Sequence, residues 1–201
     1  MPEITLYEVE GTRARRVKWA LLEAELEFNC VSRDGDFFRS DELKKLHPLG
    51  KVPVVTIDGQ TIFESAAIVT AIGDLVPEKN LIAKVGSKGR MLHDQWSFFA
   101  LTEMEAWLWS SALNSFLLPE DQRIDEIKPQ NEMFFKNGAK AMDTALGGAE
   151  YLVENRFTFT DIIAGFTVNW GRRSGYLDEF SNLNAYLERL WAREHCTLSK
   201  D

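Results

Sequence analysis

At 201 residues, 45% of them apolar, the chain is long enough for one large domain or two small ones with packed cores. A formal net charge of −8 excludes a general binder of phosphate backbones, which needs a positive field. Only Cys30, Cys196 and three histidines are present, with no Cys-x-x-Cys pair, so neither a zinc site nor a disulfide framework can be built by spacing. Both cysteines are expected to remain thiols. No stretch approaches the roughly 18 uninterrupted apolar residues of a spanning helix, and Met1-Pro2-Glu3-Ile4-Thr5 lacks the basic and then apolar run of a signal peptide. The expectation is a soluble cytoplasmic protein with neither a membrane nor nucleic acid as partner.

The first third alternates short β-like runs with amphipathic ones, the pattern of an α/β unit. Residues 4–9 read as a first strand. Gly11-Thr12 punctuates, and Val17, Ala20, Leu21 and Ala24 recur at helical spacing, which predicts a helix from about Thr12 to Glu25. Arg13, Arg15 and Arg16 on that helix are candidates to attract an anionic ligand, although such residues more often form a solvated face. Residues 28–31 form a second strand, and a polar stretch leads to a short helix around 42–46, ended by His47-Pro48-Leu49-Gly50. Residues 52–57 and 60–63 flank Asp58-Gly59, a two-residue turn that needs positive φ at both positions, and so predict a hairpin. A helix over 64–75 follows, with Ala67, Ile68, Ala71, Ile72 and Leu75 as its apolar stripe.

Residues 78–89 read as a connection, after which helical periodicity takes over. This places one domain at 1–77 and an all-helical one at 87–201. A long aromatic-rich helix is predicted over 90–114, a second within 129–153 and a last over 183–194. Five of the six tryptophans lie in this half, as suits helices packing through large side chains. In Phe157-Thr158-Phe159-Thr160-Asp161-Ile162, Thr158 is a helix cap and Asp161, three residues later, can bond back to it, so a buried helix begins there.

A βαβα-ββα order with a proline opening the third strand, followed by helices, resembles the cytosolic glutathione transferase family along essentially the whole chain. Four local motifs carry the resemblance. They are Leu6-Tyr7 followed by Thr12 and a basic-rich helix, His47-Pro48-Leu49-Gly50-Lys51-Val52-Pro53-Val54, Phe63-Glu64-Ser65-Ala66-Ala67-Ile68, and the box from Thr158 to Asp161. The resemblance implies a thioredoxin-like first domain that binds glutathione, a helical domain that contributes the pocket of a hydrophobic electrophile, and a homodimer. It implies a cis peptide before Pro53, so that Val52 offers its backbone N–H and C=O to the cysteinyl part of glutathione as an extra strand does.

Glu64-Ser65 stands between a strand and a helix, where Ser65 is expected to cap the helix and receive the γ-glutamyl carboxylate while Glu64 holds the ammonium. Lys51 is a candidate partner for the glycyl carboxylate. A free thiol is mostly protonated at neutral pH, so the chemistry needs a group that stabilises the thiolate. Thr12, at the start of the first helix, is the first candidate, and Tyr7 the alternative. No cysteine stands near Thr12, which speaks against mixed-disulfide chemistry through the protein. Three functions follow in order: glutathione transfer to an electrophile, glutathione-dependent reduction of peroxides or disulfides on the same site, and a non-catalytic adaptor of the same fold. The aromatics Phe98, Phe99, Trp107 and Trp109 are candidates for the acceptor pocket, with most expected in the core.

Overall fold

The computed structural model describes residues 2–200, with Arg39 by its backbone alone. The first strands and helices are β1 (Ile4–Val9), α1 (Ala14–Glu23), β2 (Asn29–Arg33), α2 (Asp41–Leu46), β3 (Val54–Ile57), β4 (Gln60–Phe63) and α3 (Ser65–Leu75). This is the expected βαβα-ββα order. The sheet runs β2-β1-β3-β4, with β1 and β2 parallel and both other pairs antiparallel. The parallel pair needs a crossover, which α1 supplies, whereas β3 and β4 need only a tight turn. Asp58 and Gly59 both take positive φ, 48° and 81°, as a hairpin turn of matching twist demands.

Alternation along β1 assigns the helices to faces. Leu6 and Glu8 point to one side, where Lys18 of α1 reaches Glu8 at 2.9 Å and α1 packs on α3. Tyr7 and Val9 point to the other, against a cluster of Phe37, Val54 and Leu43 of α2, joined by Leu46 and Val52. Helix α2 is capped by Ser40, whose hydroxyl accepts the Leu43 N–H at 3.1 Å.

Helix α1 begins two residues after Thr12, at Ala14. The N-cap is Arg13, and the Thr12 hydroxyl is spent on the turn before the helix. The expectation of a solvated arginine face fails at Arg16, which is 1% exposed. It lies four residues before Ala20, on the flank of the apolar stripe, so that α1 carries it inward with Val17, Ala20 and Leu21.

The chain divides into two compact units, the second beginning at Val85. Glu194–Leu198, which the sequence reading left with the helical domain, belongs to the first unit, where the Thr197 hydroxyl donates to the Arg15 carbonyl at 2.8 Å. The second unit holds α4 (Lys88–Phe99), α5 (Ala106–Ala112), α6 (Lys128–Ala145), α7 (Phe159–Arg173) and α8 (Ser181–Trp191). Ala100–Glu105 and Leu113–Leu117 are π-helical, so the predicted long helix is one body with two wider turns. The helix expected within 129–153 is α6, which ends before Gly147-Gly148 and the positive-φ pair Glu154-Asn155 turn the chain. The aromatics expected mostly in the core are half-buried or exposed. Phe98 is 65% exposed, and Trp107 stacks on Phe134 with ring centroids 4.6 Å apart.

Helix α7 is the buried axis of this unit. Two hidden polar pairs tie it to the helical stretch 88–105: His93 Nδ1 lies 2.8 Å from Thr160 Oγ1, and the Thr167 hydroxyl donates to Glu105 at 2.6 Å. Its start is held by Asp161, whose carboxylate accepts the Thr158 N–H at 2.8 Å, the Thr158 hydroxyl at 3.1 Å, the Tyr186 hydroxyl at 2.9 Å and the Leu152 N–H at 3.2 Å. Complete burial nonetheless dominates and raises the Asp161 carboxyl to about 6. The native state therefore holds this proton more tightly than the unfolded chain, whose Asp titrates near ~3.9, and the stability it contributes at low pH is lost as pH rises through about 6. Thermal melts of the parent and Asp161→Asn should show the parent's advantage larger at pH 4 than at pH 7. The variant should be destabilised by about 1–3 kcal/mol, because its amide donors face the Thr158 N–H.

Candidate active site

The ladder registers bring the predicted residues to one end of the sheet. Tyr7 pairs with Val54 and Val54 with Phe63, and these pairs are the last rungs of their ladders. Immediately beyond Val54 stand Pro53 and Val52, and immediately beyond Phe63 stand Glu64 and Ser65. The antiparallel register thus sets Val52-Pro53 beside Glu64-Ser65. Beyond Tyr7, β1 runs out through Val9 into the turn that holds Thr12. Lys51 precedes Val52 on the same loop and is exposed. Both α1 and α3 begin at this end, so two helix N-termini and their positive dipoles lie beside the carboxyl ends of β1 and β4.

The Val52-Pro53 peptide is cis, as the resemblance implied, and Pro53 is buried. No backbone group among the described residues bonds the Val52 N–H or C=O, which continue the line of β3 past its last partner. Val52 itself packs against the Tyr7 cluster.

The expectation that Ser65 caps α3 is corrected. Glu64 is the N-cap, and Ser65 is the first helical residue. Glu64 can stand there because it adopts φ 69° and ψ 108°, a region that costs about 1–3 kcal/mol for a side chain other than glycine. The first helical bond runs from Ile68 N–H to Glu64 C=O at 2.9 Å, so the three N–H groups before it have no acceptor within the helix. Ser65 is 5% exposed, and its hydroxyl oxygen accepts a hydrogen bond from Arg16 at 3.3 Å.

The Thr12 hydroxyl, half-buried, donates to the Val9 carbonyl at 2.7 Å and accepts the Ala14 N–H at 3.3 Å. Its single proton is thus engaged by that carbonyl. Tyr7 lies with its ring against the cluster on α2. Cys30 is exposed, and partial desolvation, followed by its hydrogen bond to the Glu8 carboxylate at 3.1 Å, pushes its thiol up to about 11, which lowers its thiolate fraction.

Family models match both units. The glutathione S-transferase N-terminal domain covers residues 2–72 and its C-terminal domain covers residues 106–194. The chain belongs to the glutathione S-transferase family. A glutathione S-transferase of Xanthomonas campestris is 23% identical over 88% of this chain and 85% of its own. Among solved structures, the bacterial glutathione transferase BphK, in a ternary complex, is 26% identical with a TM-score of 0.85, covering 96% of this chain and 95% of that one. A sphingomonad glutathione S-transferase complexed with glutathione is 25% identical with a TM-score of 0.84, covering 96% and 94%. As a glutathione transferase the chain is an enzyme with glutathione as its co-substrate. Among the described residues no three His, Cys, Asp or Glu side chains group as metal ligands, and no helix is long and apolar enough to cross a membrane.

Two residues at this end of the sheet, Arg16 and His47, stand in the sequence motifs without a hydrogen-bonding role assigned to them. Arg16 had a signal, its place four residues before Ala20 on a buried stripe. His47 had none beyond its position in the loop motif. It is 5% exposed, its Nδ1 accepts the Leu49 N–H at 2.9 Å, and its ring lies 4.8 Å from that of Phe63. Burial lowers its pKa, opposed by the Glu64 carboxylate and aided by the Lys51 ammonium. His47 is therefore a neutral brace of the loop that carries Lys51 and Val52. The strain at Glu64 yields a direct expectation. Glu64→Gly should hold or raise stability, by up to about 1 kcal/mol in thermal denaturation, while weakening glutathione in calorimetry, because relieving the backbone removes the carboxylate.

Proposed function

We propose that the chain binds glutathione across this sheet end and activates its thiol for attack on a hydrophobic electrophile. The observation that carries the reading is the juxtaposition, fixed by the Val54 register, of an unpaired backbone edge at Val52 with the open N-terminus of α3. A short peptide with a free α-amino acid group at one end matches both. Its middle lies along Val52 as a further strand, with Pro53 holding that edge in place. Its carboxylate meets Ser65 and the first N–H groups of α3, and its ammonium meets Glu64. Lys51 serves the carboxylate at the other end.

With the peptide so placed, its thiol comes to the start of α1. There the Thr12 hydroxyl turns its proton from the Val9 carbonyl to sulfur, and the helix N-terminus adds its field. The thiol proton leaves to solvent, the thiolate forms a bond to the electrophilic carbon, and the displaced group departs with the bonding electron pair. Tyr7 is the alternative donor, and its engagement in the α2 cluster favours Thr12. The thiol of Cys30, raised to about 11, favours this route over a mixed disulfide with the protein. We place the enzyme in the cytoplasm as a homodimer, from its family likeness.

Activity toward 1-chloro-2,4-dinitrobenzene across pH 5.5–8.5 tests the assignment. Thr12→Ala should lower kcat/KM by about tenfold or more and move its rising limb toward the free-thiol value near ~8.5, while Tyr7→Phe stays within about twofold. The reverse pattern assigns the role to Tyr7. Reduced glutathione at about 100 times its Kd should stabilise the folded parent by about 2.7 kcal/mol. A folded parent that shows no thermal shift at millimolar glutathione contradicts the reading and points to the adaptor.

A further inference from the structure

We infer that Arg16 is a positioning residue of this site: it fixes the direction in which the Ser65 hydroxyl donates, and so dedicates Ser65 to a carboxylate. The inference rests on the glutathione reading and adds to it the origin of selectivity for the γ-glutamyl carboxylate. A serine hydroxyl has one proton and two lone pairs, and either role is open to it on its own. Arg16 is 1% exposed and presents a guanidinium nitrogen 3.3 Å from Ser65 Oγ. A guanidinium has donors only and stays charged throughout the pH range of a folded protein, so in this contact Ser65 must accept.

With one lone pair held from below, the Ser65 proton is left to point away from α1. Ser65 is the first helical residue and not the cap of α3, which is Glu64, so its hydroxyl oxygen is not turned back to accept a first-turn N–H. The proton therefore lies among the open N–H groups of the first turn, and these together with the hydroxyl form a row of donors, with the Glu64 carboxylate beside it. Such a set discriminates by charge. It accepts a carboxylate and leaves a neutral or donor-bearing group unpaired. The buried positive charge adds to the helix field without itself touching the ligand, and because it cannot titrate, the polarity it sets does not vary with pH.

Calorimetry with two probes tests this, using reduced glutathione and γ-aminobutyryl-cysteinylglycine, which lacks only the α-carboxylate. The parent should bind the analogue at least about tenfold more weakly than glutathione. Arg16→Met should weaken glutathione about tenfold and leave the analogue within about twofold, so that the ratio collapses, and Arg16→Lys should recover much of it. Ser65→Ala should collapse the ratio alike, and the double variant should fall within about twofold of either single one. Circular dichroism and melting confirm folding, and if Arg16→Met does not fold, Arg16→Gln, too short to reach Ser65, carries the same expectation. Equal weakening of both probes, or an Arg16 effect that persists undiminished in Ser65→Ala, overturns the inference and leaves glutathione binding intact. A folded parent that binds no glutathione overturns the underlying reading together with it.

Discussion

The row of Tyr7, Val54 and Phe63 across β1, β3 and β4 is the constraint on which the site depends. Each of these residues is the last rung of its ladder, and each is followed in space by a segment with chemistry to offer: the Thr12 turn, the Val52-Pro53 peptide and the Glu64-Ser65 pair. Side chains alternate with period two along a strand. A slip of β3 by one residue would therefore exchange its buried and exposed faces and withdraw Val54 from the cluster it shares with Leu43 and Phe37. The hydrophobic pattern that stabilises the sheet is thus the same device that aligns the site. The Asp58-Gly59 turn secures it from the far end by fixing the β3–β4 register.

That end of the sheet is electrostatically uniform in a way the net charge of −8 conceals. Two helix N-termini open there and a buried guanidinium stands behind one of them, which favours an anionic group beside Ser65. Glu64 is the exception. It holds a strained backbone at the cap of α3, where a glycine would relax, and the strain persists because strand β4 and helix α3 determine the chain on both sides. Stability here is set against the placement of one carboxylate next to a row of donors, an arrangement that fits a ligand bearing both charges.

The sequence made the architecture legible wherever a local rule was decisive. Asp-Gly between two alternating runs specified the hairpin, and the three-residue spacing of Thr158 and Asp161 specified the start of α7. Legibility failed where tertiary packing decided. Ser65 reads as a cap because serine favours that position, but the chain after β4 spends one residue of left-handed backbone first and moves the cap back to Glu64. Arg16 reads as solvated because arginine usually is, yet its neighbours on the helix turn it inward. The two wider π turns near 100–105 and 113–117 leave no mark on hydrophobic periodicity, because one extra residue per turn is absorbed within a few residues. The candidate residues were therefore legible as a group, which the strand registers gather at one end of the sheet, whereas their separate hydrogen bonds were not.

The most direct test of the account is amide chemical-shift mapping of the full chain titrated with reduced glutathione. The strand register predicts the largest perturbations at the amides of Thr12, Val52, Ser65 and Ala66, with the opposite end of the sheet, at Glu3 and the Asp58-Gly59 turn, unmoved. Saturable shifts centred on that opposite end, with Val52 and Ser65 unaffected, would contradict it.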